Sequence, residues 1–169
     1  MFDYIFDSND LITLQQILKE RNETITTAES CTGGMIAHMI TSVSGASDIF
    51  HGGLISYSNE VKEKELNVSK DTMIKFGVVS EEVVSEMLDG AISKFEADYA
   101  IAVSGVAGPT GGTKDKPVGM VVIGISSKKT GEKEVEVCRF DGDRKSIQTQ
   151  ATKESLKKIF KFLQKTLDK

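Results

Sequence analysis

The chain has 169 residues and a mass of 18.4 kDa, enough for one core that buries about 70% of the unfolded surface but not for two ordinary domains. Its 25 acids against 21 Lys and Arg, with a pI near 5.3, exclude the basic balance of a general nucleic-acid binder, and 27% charged with 39% apolar residues excludes intrinsic disorder. No apolar run reaches the length of a bilayer span, the acidic opening Met1 to Asp10 lacks the basic start of a secretory leader, and two cysteines are too few for a disulfide framework, so the expectation is a cytoplasmic protein with reduced thiols and neither nucleic acid nor membrane as partner.

Met1 to Phe6 is apolar enough for an interface or for core. Residues 8–21 have helical spacing, with Leu11, Leu14, Ile17 and Leu18 on one face and Ser8 or Asn9 as the cap. Thr24 to Ala28 is short and rich in β-branched residues and reads as a buried strand. After Glu29 to Gly34, residues 35–40 read as a helix ending near Gly45, and 50–57 as a second strand. Short helices are expected over 59–66 and 69–76, the latter stopped by Gly77. Val83, Val84, Met87, Leu88, Ala91, Ile92 and Phe95 recur at helical spacing behind a Ser80 cap, with Glu81 and Glu82 in the first turn.

Tyr99 to Ser104 is an apolar run bounded by Asp98 and Gly105, the pattern of a central strand. Residues 120–126 and 135–140 form an antiparallel hairpin turning at 128–131. Residues 144–167 read as a long helix with Ile147, Ala151, Leu156, Ile159, Phe160 and Leu163 in its stripe. Strands and helices alternate early and a hairpin comes late. This order predicts a single domain over 1–169, α/β in class, with three α/β/α layers around a mixed sheet.

Glycine is concentrated where chemistry is expected. Five of the 15 glycines fall in 33–53 and five in 105–119, two places where backbone turns sharply or approaches a ligand. In Ala28 to Gly34, a strand end runs through Ser30, Cys31 and Thr32 into two glycines and a helix. The unpaired amides of a helix start can hold a phosphate or a developing oxyanion. Read structurally, the same stretch is a plain strand–helix connection, and Cys31 is a small buried hydrophobe.

Tyr57 to Lys62 repeats the strand-to-helix geometry and sets Lys62 on the same face as Ser58 and Asn59. Spacing alone makes Lys62 a solvated lysine. Service as a general base requires burial or a neighbouring cation to lower its pKa. Val103 to Gly112 is a glycine-rich loop at the end of a central strand, where open α/β sheets bind ligands, yet it matches neither GxxxxGK[ST] nor GxGxxG. Arg144, one of only three arginines, stands between a strand and a helix, placed either at the surface or as a bidentate phosphate clamp. The two histidines, His38 and His51, and the two distant cysteines make no metal-ligand spacing.

Together these segments resemble the CinA C-terminal domain family, whose enzymatic members are nicotinamide mononucleotide deamidases. The resemblance rests on Thr27 to Gly34 (TAESCTGG), Gly45 to Ser47 (GAS), Phe50 to Lys62 (FHGGLISYSNEVK) and Gly77 to Glu82 (GVVSEE). It continues through Ser104 to Pro109 (SGVAGP), Gly111 to Thr113 (GGT), Lys116 to Gly119 (KPVG) and Gly142 to Arg144 (GDR). These run in the family's order over about residues 11–165. Ser104 stands where members commonly carry Thr.

The resemblance implies hydrolysis of the carboxamide of nicotinamide mononucleotide, a small-molecule substrate, to nicotinic acid mononucleotide and ammonia, without metal or cofactor. It implies Ser30 as nucleophile, Lys62 as base and Tyr57 as an auxiliary hydroxyl near the pair. Backbone amides around Cys31, Thr32, Gly33 and Gly34 would form the oxyanion hole. Thr32, Asn59, Ser104, Gly105, Gly108 and Arg144 would line the nucleotide site, with Arg144 near the phosphate. It further implies the form without an N-terminal pyrophosphatase-like domain, and a homodimer. A non-catalytic alternative stays open at this point, in which the domain binds a pyridine nucleotide or serves as a competence- or damage-associated partner.

Overall fold

The computed structural model describes residues 6–166. Helix α1 (Ser8–Arg21) is followed by strand β1 (Ile25–Glu29) and helix α2 (Met35–Thr41). Strand β2 (Leu54–Ile55) then leads into helices α3 (Asn59–Leu66), α4 (Lys70–Phe76) and α5 (Glu81–Phe95). Strands β3 (Tyr99–Gly105), β4 (Met120–Ser127) and β5 (Lys133–Arg139) come next, and helix α6 (Arg144–Lys165) closes the described chain.

The five strands lie in the order β2-β1-β3-β4-β5, with β2, β1 and β3 parallel and β4 and β5 antiparallel. This is the expected mixed sheet. Strand alternation divides the core between its two faces. Ile25, Ile101, Val103, Val121, Ile123 and Ile125 meet residues of α1, α2 and α6 on one side. Ala28, Ala100, Ala102 and Val122 meet Leu66 of α3 and the apolar stripe of α5 on the other. Small side chains on that second face let α5 lie close. A Cβ at Gly124 would sit 2.7 Å from Val84.

Two local details differ from the sequence reading. Asp7, not Ser8 or Asn9, caps α1, accepting from the amides of Asn9 and Asp10 in a box closed by the Asp10 side chain. The strand expected over 50–57 shrinks to Leu54–Ile55. Before it, Thr26 Oγ1 donates to the Gly52 carbonyl and Gly53 presses against Thr27 Oγ1, so this stretch docks on β1 without a regular ladder. Of the apolar N-terminal segment, Met1 to Ile5 lies outside the described residues, whereas Phe6 is buried edge-on to Phe160 with ring centroids 6.0 Å apart. The expected end of the last helix at Leu167 also lies outside the described residues.

The connection leaving β1 goes to β2, while β3 lies on the other side of β1. The carboxyl ends of β1 and β3 therefore open a crevice, the usual ligand position in an open α/β sheet. The β1–α2 turn and the loop from Gly105 to Gly119 both start there.

Candidate active site

Alternation along β1 sends neighbouring residues to opposite sides. Glu29 turns toward α2, where its carboxylate is buried. One oxygen accepts from Thr32 Oγ1 at 2.7 Å and the Ile36 amide at 2.9 Å, and the other from the Ala37 amide at 3.0 Å. It thereby serves the first turn of α2, whose own N-cap, Gly34, has no side chain to offer. Ser30 faces the opposite way, toward α3. The turn is closed by Gly33, whose amide donates to the Ser30 carbonyl at 3.0 Å with φ at +60°, a conformation that favours glycine.

Lys62 sits in α3, which Ser58 caps. The side chain is only 2% exposed. Its Nζ lies 3.1 Å from Ser30 Oγ, 2.7 Å from the Ser56 carbonyl and 3.4 Å from the Tyr57 carbonyl. Two carbonyls can take the two N–H bonds of a neutral amine, which leaves the nitrogen lone pair for the serine proton. Burial lowers the Lys62 pKa to about 8, and the nearby Cys31 opposes this slightly. The Cys31 thiol is pushed up to about 12, first by burial, so it is neutral at physiological pH and has no thiolate to offer as a nucleophile.

These groups open on a cavity of about 290 Å³. Its lining includes Ser30, Cys31, Tyr57, Asn59, Lys62, Ser104, Gly105, Gly108 and Arg144, nine of the residues singled out from sequence. Arg144, in the first turn of α6, donates from Nη1 to the Gly108 carbonyl at 2.7 Å and from Nη2 to the Tyr57 hydroxyl at 2.6 Å. A guanidinium has five N–H donors, so further donors remain for a ligand. Ser104 donates to the Val78 carbonyl at 2.8 Å, which fixes the wall of the cavity. The lining contains two cations, Lys62 and Arg144, and no acid.

Some of the expected site residues lie outside this lining or meet it differently. Thr32, Gly33 and Gly34 do not line the cavity. The Thr32 hydroxyl is drawn inward by Glu29, and the Gly33 amide is occupied by the Ser30 carbonyl. The Tyr57 hydroxyl does not approach the Ser30–Lys62 pair through a hydrogen bond. It is held by Arg144, and the backbone carbonyl of Tyr57 is what meets Lys62. Val106, Ala107, Thr110 and Gly111 of the glycine-rich loop complete the lining with Val78 and Val79, and the last two stand in a sequence motif to which no role is given. Among the described residues, no three His, Cys, Asp or Glu side chains converge as a metal-ligand set.

The CinA C-terminal domain model matches residues 11–163. The chain belongs to the CinA C-terminal domain family. Nicotinamide-nucleotide amidohydrolase PncC of Escherichia coli K12 is 45% identical over 152 residues, covering 89% of this chain and 92% of that protein. A CinA-like protein of Thermotoga neapolitana is 42% identical over 164 residues, but this chain spans only 40% of its length. A CinA superfamily protein of E. coli, known by crystal structure, superposes with a TM-score of 0.89 at 31% identity, covering 96% of this chain and 93% of that one. The family's mixed-sheet α/β/α architecture is the one described above.

Proposed function

We propose that this CinA-family protein hydrolyses the carboxamide of nicotinamide mononucleotide to nicotinic acid mononucleotide and ammonia. Ser30 is the nucleophile and Lys62 the base. The observation that carries this reading is a buried amine 3.1 Å from a serine oxygen inside a ligand-sized cavity. The likeness to the E. coli amidohydrolase along most of both chains supports the substrate.

An amide needs an activated nucleophile, a stabilised oxyanion and a protonated leaving group. Neutral Lys62 takes the Ser30 proton as Oγ adds to the carboxamide carbon. The oxyanion meets the Cys31 amide, the first one beyond Ser30, in a residue that lines the cavity. Lys62 returns the proton to nitrogen, the C–N bond breaks, ammonia leaves and an ester to Ser30 remains. Water then gives a proton to Lys62 as its oxygen adds to the ester carbon. Collapse of that intermediate breaks the bond to Oγ, which recovers its proton from Lys62. Arg144 faces the phosphate. Among the described residues, no helix is long and apolar enough to cross a membrane. The reading includes a cytoplasmic location and a homodimer, and light scattering of the purified protein tests the homodimer.

The deciding experiment is ammonia release from nicotinamide mononucleotide by wild type and by Ser30→Ala. Wild type turns over and Ser30→Ala falls at least about a thousandfold while calorimetry still detects substrate binding. Wild-type turnover by Ser30→Ala removes the nucleophile. Binding without any ammonia release by wild type makes the protein a nucleotide-binding module instead.

A further inference from the structure

The deamidation reading, on which this inference rests, makes substrate and product differ at one position. A neutral –C(O)NH2 becomes –COO⁻ at the carbon that was bonded to Ser30 Oγ. That oxygen is 3.1 Å from Lys62 Nζ. The acid formed there is a far stronger acid than an ammonium group, so its proton passes to the amine. Each turnover therefore ends with a carboxylate beside a Lys62 ammonium, inside a cavity whose lining holds two cations and no acid.

We propose that the site holds the carboxylate product more tightly than the carboxamide substrate, so that a mononucleotide with a free pyridine carboxylate restrains the enzyme by occupying its own birthplace. Glu29 opposes the attraction in part, since its charge is felt at Cys31, and Asp143 stands next to Arg144 on the adjoining cavity. Neither lines the site itself, and Glu60 pairs with Lys64. The Glu29 carboxylate, on the adjoining turn, is engaged by Thr32 and the α2 amides. On α5, which packs against α3, Glu86 is taken by Ser69 and Thr72, and Asp89 by Lys133. On α3 itself, Glu63 pairs with Lys70 and Glu65 with Lys94. The Cys31 thiol is neutral, and Arg144 from α6 faces the phosphate. The phosphate is common to both ligands and cancels in the comparison.

Hydrogen bonds to charged partners are worth about 1.5–3 kcal/mol, so the product is expected to bind roughly ten- to a hundredfold more tightly where Lys62 is protonated. The test is calorimetry of both mononucleotides on Ser30→Ala at pH 6.5 and 9.5, with product inhibition of wild-type ammonia release at the same two pH values. The preference is expected to be large at pH 6.5, to fall toward parity at pH 9.5, where Lys62 is mostly neutral, and to be weak at both in Lys62→Met. Equal or weaker product binding at pH 6.5 overturns the proposal. So does a preference that Lys62→Met leaves intact. Absence of ammonia release by wild type defeats the deamidation reading instead, and the binding comparison still decides the charge preference.

Discussion

Gln148 Nε2 donates to the Cys31 carbonyl at 2.9 Å. Gln148 is one helical turn beyond Arg144, so the first two turns of α6 grip three separate segments: the Tyr57 hydroxyl and the Gly108 carbonyl through Arg144, and the nucleophile turn through Gln148. Gln148→Met keeps the length and loses the donor. Stability is expected to fall by about 1 kcal/mol and kcat by roughly tenfold, with KM little changed. Ammonia-release kinetics and a denaturant melt check both, and a change confined to KM refutes the positioning role.

The Lys62 pKa of about 8 sets two pH dependences of one sign. As a base, Lys62 must be neutral, so kcat/KM rises tenfold per pH unit below about pH 8 and levels off above it. Stability follows the same direction. The folded state holds the amine below its ordinary pKa of 10.5, so the unfolded chain binds more protons between the two values and stability increases with pH across that window. Full protonation near pH 7 costs the fold on the order of 3 kcal/mol. Lys62→Met removes this cost along with the activity. Melts of both proteins at pH 7 and pH 10 should show the variant's relative stability declining as pH rises, and parallel pH profiles would contradict the buried-cation argument.

Cys31 lies beside Ser30 but is a poor nucleophile for the reason burial gives: its thiol is pushed up to about 12. Cys31→Ala is expected to keep turnover within about tenfold of wild type, and native protein should react with iodoacetamide at Cys31 far more slowly than unfolded protein. Peptide mapping after timed alkylation reads the second outcome. Complete inactivation of Cys31→Ala would move the nucleophile to sulfur.

Gly90 sits mid-helix in α5, where alanine would ordinarily gain about 1 kcal/mol. Here an added Cβ would lie 2.1 Å from the carbonyl oxygen of Leu66, the last residue of α3. Gly90→Ala should be destabilising through overpacking, by roughly 1–3 kcal/mol before that gain is counted. It should also lower kcat, because α3 carries Lys62. Thermal melts and initial rates test this, and an unchanged or higher Tm would show that α3 shifts without cost.

The long elements were legible because their periodicity is strong. The stripes of α5 and α6 and the apolar runs of β3 and β4 fell where expected. What sequence could not supply was depth. Spacing makes Lys62 a surface lysine, whereas the fold sets its amine against Ser30 and the Ser56 carbonyl, out of solvent. Thr32 offers a hydroxyl in the right motif, yet the alternation that aims Ser30 at α3 aims Glu29 at α2, and Glu29 captures Thr32. The part Glu29 plays at the start of α2 has no linear signal, because the bare amides it serves are invisible in a sequence. Gln148 carries no motif at all, and its partner is a backbone carbonyl 117 positions away.

Strand β2 is two residues long, and the segment after it continues through Ser56, whose amide donates to the Glu29 carbonyl at 2.7 Å. The Ser56 carbonyl is in turn held by Lys62 at 2.7 Å. The amine that would pull the proton is thus also a rivet for the arm that presents it. Exchanging it for another proton acceptor, such as histidine, would unfasten the mount together with the tool, so the chemistry of this fold resists piecemeal redesign.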